Sequence, residues 1–169
     1  YCKEHMDSPF IDKRHIKLKN LSEFNPLNYI TKKLNKTYIK TNSTLIICPN
    51  QLCDQWLQEY YDKFKTTYRI LLIVTYDQYT NLTLADILFS DIIIVSYNFL
   101  LNTKYINNTC NIKETIIKEF MEAKSEEELG KLLNSDKFNT FGLFYWERVI
   151  CDVVHEIESM LKGNVLHKY

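Results

Sequence analysis

Apolar residues along this chain gather in short unbroken runs, separated by segments with helical spacing. The clearest runs are Thr44–Cys48 (TLIIC), Ile70–Thr75, Asp91–Ser96 (DIIIVS) and Arg148–Asp152 (RVICD). Each is β-branched and does not alternate with polar residues, the pattern of a strand covered on both faces. Within Gln51–Lys65, Leu52, Trp56, Tyr60 and Phe64 recur at every fourth residue, and Leu57 and Tyr61 widen the stripe. That spacing predicts an amphipathic helix, with Asn50 as its N-cap. Asn25-Pro26 is expected to open another helix, with Leu27, Ile30 and Leu34 on one face. Residues 1–24 are polar and without period, a loop or short helix. Asn102–Thr140 is polar and helical: Ile112–Ala123 is followed by Ser125-Glu126-Glu127-Glu128, a capping box opening a helix to Leu133. It reads as an insertion on the periphery of the sheet.

Glycine occurs only at 130, 142 and 163, which argues against a fold built from glycine-cornered hairpins. The expected class is α/β, a parallel sheet of at least four strands joined by crossover helices. Residues 1–43 form an N-terminal helical or loop segment, and 44–169 the sheet-bearing unit with its insertion at 102–140.

Composition changes this picture in three places. Lys plus Arg and Asp plus Glu are 21 each, so the net charge is zero and any basic surface must be local. No apolar run reaches the ~20 residues of a membrane span, so no membrane partner is expected. The five cysteines are an odd set, with Cys48, Cys53 and Cys151 in or beside apolar runs. Buried free thiols fit this better than a disulfide framework and point to a reducing compartment: nucleus, cytoplasm or a viral replication site. Cys2 and His5, with His15 further on, have the spacing of half a zinc site but lack a second pair. The sequons at Asn35, Asn42, Asn81 and Asn107 reflect a chain rich in Asn and Thr. The chain opens on Tyr1, which suggests a piece of a longer polypeptide.

In an open parallel sheet, ligands gather beyond the carboxyl ends of the strands. The first run ends in Cys48-Pro49-Asn50-Gln51, the third in Ser96-Tyr97-Asn98, and the fourth in Cys151-Asp152-Val153-Val154-His155-Glu156. In this order, the segments resemble the Swi/Snf family of superfamily-two helicase-like motors. TLIICPNQLCDQWLQE is similar to that family's motif Ia, DIIIVSYNFL to motif Ib, and WERVICDVVHEI to motif II, the Walker B segment that normally reads Asp-Glu-Ala-His. The resemblance implies an incomplete RecA-like lobe of the P-loop NTPase type, with ATP and Mg²⁺ as cofactors of the full-length parent. Asp152 is then the catalytic, nucleotide-side and Mg²⁺-binding carboxylate, and His155 couples the nucleotide site to the second lobe or to nucleic acid. Pro49, Asn50, Gln51, Ser96, Tyr97 and Asn98 are expected to meet the phosphates of nucleic acid, double-stranded DNA in the parent. Plainer roles stand beside these: Asp152 as a helix N-cap, His155 as a satisfied histidine, Ser96 and Asn98 as caps of Phe99–Leu101, and Trp56 as core.

Two departures bear on activity. The chain has no Gly-x-x-x-x-Gly-Lys-[Ser/Thr] loop to cradle phosphates, so that loop lies upstream of Tyr1 or has been lost. Val153 stands where the family has the glutamate that activates water. Loss of such a base costs ~10²–10⁴-fold in rate. With the second lobe also beyond Tyr169, the chain alone is expected to bind no cofactor and to be inactive. Its expected partners are nucleic acid and the rest of the motor. The alternative is a degenerate lobe kept as a nucleic-acid- or protein-binding module.

Overall fold

The computed structural model describes residues 25–63, 68–108, 113–135 and 140–152. Its centre is a five-stranded sheet: β1 (Ile30–Lys33), β2 (Lys36–Cys48), β3 (Ile70–Ile73), β4 (Ile92–Ser96) and β5 (Phe144–Cys151). β2 is the hub. It pairs in parallel with β4, from Thr44↔Ile92 to Cys48↔Ser96, and with β5, from Ile39↔Phe144 to Ile47↔Cys151. β3 adds in parallel to the far side of β4. The four expected runs are therefore parallel members of one α/β sheet, which the antiparallel β1 makes mostly rather than wholly parallel.

Helices cover its two faces unequally. On one face α1 (Asn50–Lys63) packs Cys53, Leu57 and Tyr60 against Ile46, Cys48, Ile70, Leu72 and Ile94. The other face carries α2 (Tyr76–Thr80), α3 (Leu84–Leu88), α4 (Tyr97–Leu100), α5 (Thr103–Asn108), α6 (Lys113–Glu122) and α7 (Glu126–Leu133). The described helices α5, α6 and α7 of the 102–140 segment do not sit at the periphery. Ile116, Phe120, Leu129 and Leu133 are buried in the larger core beside Ile39, Leu45 and Val95. Tyr79, Phe99, Tyr105 and Phe141 stack in tilted and edge-on pairs that fasten this layer to the sheet. The polar surface of the segment hid a buried stripe wide enough to make it a covering layer.

The helix expected from Pro26 stops after one turn. Asn25 Oδ1 caps Leu27 N at 3.0 Å and Pro26–Tyr29 forms a 3-10 turn. The chain then enters β1, antiparallel to the first residues of β2. Ile30 and Thr31 gain cross-strand partners in Ile39 and Tyr38, which suits β-branched side chains better than an isolated helix of marginal length. The connecting turn has no glycine. Leu34 and Asn35 take φ values of 48° and 62°, as a two-residue primed turn requires and as Asn-Gly would supply at lower cost. Leu34, expected on a buried helical face, is 97% exposed at the tip.

β2 begins eight residues earlier than its apolar run. Thr41 and Ser43, both buried, are tolerated there because Ser43 Oγ lies 2.6 Å from Thr41 Oγ and 2.5 Å from the Ser90 carbonyl. Pairing with β5 shifts register between Thr41 and Thr44. Among the described residues, no helix is long and apolar enough to cross a membrane.

Replacing Leu34-Asn35 by Asn-Gly should raise stability by about 1 kcal/mol, because neither residue then opposes the left-handed backbone. Urea unfolding of the two proteins measures this. Unchanged or lower stability would mean that the tip does not hold a primed turn.

Candidate functional site at the strand tips

The register Cys48↔Ser96 and Ile47↔Cys151 brings the ends of β2, β4 and β5 to one edge of the sheet. The turns singled out by sequence therefore lie side by side. Asp152 follows β5 directly, and its N–H donates to the Ile47 carbonyl at 2.8 Å. It ends the ladder half-buried between two neighbours. From α1, Trp56 Nε1 donates to Asp152 Oδ2 at 2.9 Å. From the start of α4, the Tyr97 hydroxyl donates to the Asp152 carbonyl. Motif Ia-like helix, motif Ib-like turn and Walker B-like aspartate thus meet at one residue.

Trp56 was expected as core. Its ring does border the smaller cluster, but its N–H is spent on the aspartate. Helical spacing assigns a face and cannot assign a partner 96 residues away. The only signal in sequence was generic: a buried indole N–H needs an acceptor.

The other site residues divide into two groups. Pro49, Ser96 and Tyr97 are buried. Ser96 Oγ caps α4 by accepting from Phe99 N at 3.1 Å and reaches the Val74 carbonyl at 3.2 Å. Gln51 and Asn98 are exposed, and Asn50 is half-buried. Asn50 is the first residue of α1 rather than its N-cap. Its Oδ1 is buried and meets no donor among the described residues. Val153, His155 and Glu156 lie outside the described residues.

Behind the edge, Cys48 and Cys53 are buried free thiols with Sγ atoms 3.5 Å apart. The hydrogen bond with Cys53 holds Cys48 below the usual thiol range, while that bond and burial push Cys53 up. Cys151, expected to be buried, is exposed. It lies on a strand whose outer edge carries no partner among the described strands. No group of three or more His, Cys, Asp or Glu residues able to hold a metal occurs among the described residues. The Cys2, His5 and His15 set lies outside them.

Residues 18–162 match the family model described as the SNF2-related domain. The chain belongs to that family. No curated protein matches it. As an SNF2-related domain it is a Swi/Snf-type, helicase-like region, and its mostly parallel sheet with helices is consistent with a RecA-like lobe. The SNF2-related match spans all three turns and the hub strand between them.

If the Trp56–Asp152 bond ties α1 to the strand tip, Trp56→Phe and Asp152→Ala should be non-additive. A double-mutant cycle in urea should give a coupling of about 1 kcal/mol, the scale of a half-buried bond to a carboxylate. Additive effects would show that the two groups do not meet in solution.

Proposed function

We propose that the chain supplies the nucleic-acid-facing edge and the Walker B segment of the first motor lobe of an ATP-dependent, nucleic-acid-stimulated translocase. The carrying observation is the convergence of the three turns on Asp152 at one sheet edge. Exposed Gln51 and Asn98, with half-buried Asn50 donating from its Nδ2, are the groups at that edge that would meet phosphate oxygens. Ser96 and Tyr97 hold the turns in place. All of these are uncharged, so the contact positions a strand without reading its sequence and without strong electrostatic attraction.

The nucleotide is a poorer fit. In the parent, Asp152 would be the residue to hold Mg²⁺ through a carboxylate oxygen. The triphosphate needs a nest of backbone N–H groups that a Cβ does not obstruct. The turns at this edge offer Pro49, which has no N–H, and residues with full side chains, and the chain contains no glycine-rich loop. ATP and Mg²⁺ are therefore assigned to the parent motor, with the phosphate loop and the second lobe contributed from outside these residues. Nuclear, cytoplasmic and viral replication sites are equally compatible with this role.

Two observations favour a second reading, a degenerate lobe acting as a non-catalytic binding module. Asp152 Oδ2 is already occupied by the Trp56 indole, and Val153 cannot deprotonate water.

Calorimetry of the chain with Mg-ATP should show no saturable heat at micromolar nucleotide; a clear low-micromolar constant would defeat the proposal. Asn50→Ala with Asn98→Ala should weaken binding to a duplex of about 20 base pairs severalfold, leaving the salt dependence unchanged because no charge is lost. An unaltered affinity would remove the strand tips from the interface. Val153→Glu should produce no nucleic-acid-stimulated phosphate release in residues 1–169. In a parent carrying the loop and second lobe, it should raise turnover at least tenfold, the low side of the general-base range. A parent slowed by Val153→Glu would place the base elsewhere.

A further inference from the structure

α1 covers only the C-terminal half of its face of β2, where Ile46 and Cys48 are buried. Toward the hairpin the same face carries Lys36, Tyr38, Lys40 and Asn42, all exposed except the half-buried Tyr38. Lys33 stands directly across from Lys36, and Tyr145 of β5 directly across from Lys40. The Tyr38 and Tyr145 rings lie 6.4 Å apart, and Lys33 Nζ sits 5.5 Å from the Tyr145 centroid. Two aromatic rings and three lysines thus share one patch spanning β1, β2 and β5, over which no helix packs among the described residues.

This patch is locally unfavourable. Lys33 and Lys36 are like charges at a direct cross-strand position, which destabilises a sheet. None of Lys33, Lys36 and Lys40 forms an ion pair among the described residues, whereas Lys63, Lys118 and Lys131 do. From Asn25 to Cys53 the chain has four lysines and no acid, although its total charge is zero. Beyond Tyr145, β5 contributes one acid, Glu147. The adjoining turn is built on a left-handed leucine. A fold that concentrates such costs at one place has a use for the charge.

From this we infer that this face of β1, β2 and β5, uncovered among the described residues, is a binding platform for single-stranded nucleic acid, with Tyr38 and Tyr145 stacking bases and Lys33, Lys36 and Lys40 meeting phosphates. Sheet faces that present aromatic rings among lysines suit this ligand, since every base has a π-face and every linkage a negative charge. A duplex keeps its bases stacked inside and would leave the tyrosines unused. An acidic protein segment would use the lysines but not both rings. The platform is separate from the strand-tip edge, because β2 runs roughly 40 Å from Lys36 to Cys48 at ~3.3 Å per residue.

The test uses the 169-residue chain and a fluorescein-labelled oligothymidylate of about 20 nucleotides, followed by anisotropy between about 25 and 200 mM salt. Lys33→Ser with Lys36→Ser should lower the slope of log affinity against log salt by about 1.4, two single-strand phosphates. Tyr145→Ala should weaken binding about tenfold, and Tyr145→Phe, which keeps the ring, should not. Lys36→Glu should melt a degree or two higher, having replaced a like-charge pair by an opposite one, yet bind less. Stability and affinity moving in opposite directions cannot come from misfolding. The platform is refuted by an unchanged salt slope, by equal loss in Tyr145→Ala and Tyr145→Phe, or by no binding at the lowest salt. Displacement by polyglutamate as readily as by unlabelled oligonucleotide would reassign the face to acidic protein. Strand-tip contact is read separately, by the duplex titration of the tip variants, so failure here and failure at the strand tips are told apart.

Discussion

Parallel hydrogen bonding on both edges of β2 sets Cys48 beside Ser96 and Ile47 beside Cys151. The strand-tip edge exists because of this register. Side chains alternate along a strand, so a slip of one residue would turn Ile39 and Leu45 out of the larger core and move Asp152 away from Trp56 and Tyr97. Burial on both faces makes that slip costly, because β-branched residues would exchange apolar neighbours for solvent. A single strand therefore carries the core of both layers and the alignment of the site.

The same strand shows how polar residues are kept inside without loss of order. Ser43, fully buried, lies within bonding distance of Thr41 and of the carbonyls of Ile87 and Ser90 at the end of α3. Ser90 in turn reaches the Asp86 carbonyl. Capping boxes at Thr75 and Thr83 close the short helices on either side. The helices here are too short to be stable alone, and these local bonds with the aromatic stack around Tyr79 hold them in place. Burial pushes the Tyr79 and Tyr105 hydroxyls above the ordinary phenol range, so both remain protonated and can donate.

The parallel direction of these strands was legible because unbroken β-branched runs have few alternatives in an α/β chain; their order came only from the structure. Asp91–Ser96 and Thr44–Cys48 needed no long-range information. The hairpin at Lys33–Lys36 was not legible, since its turn uses Leu34-Asn35 in place of the residues that signal such turns. The first half of β2 was missed for a related reason. Alternating Lys, Tyr, Thr and Asn resembles a loop until the partner strands are known. The sequence put Asp152 and the two turns at strand ends, which the register brings to one edge, but could not reveal that Trp56 and Tyr97 bond to the aspartate. Side-chain partners across 96 residues follow from packing, and no local spacing encodes them.

The pairing of Ile39 with Phe144 joins residues roughly a hundred positions apart, which has a consequence for the order of assembly. Contacts so distant in sequence form late, because chain entropy must be given up before they contribute. Folding back α5, α6 and α7 onto the sheet brings the two ends together, so the helical layer works as a closing device for the strand pair as well as its cover. During synthesis, β5 leaves the ribosome after every other strand described here. Until it arrives, one edge of β2 is open to pairing with whatever strand is nearby, the condition under which chains misassociate. The short span between α7 and Phe144 limits how long that edge stays unprotected.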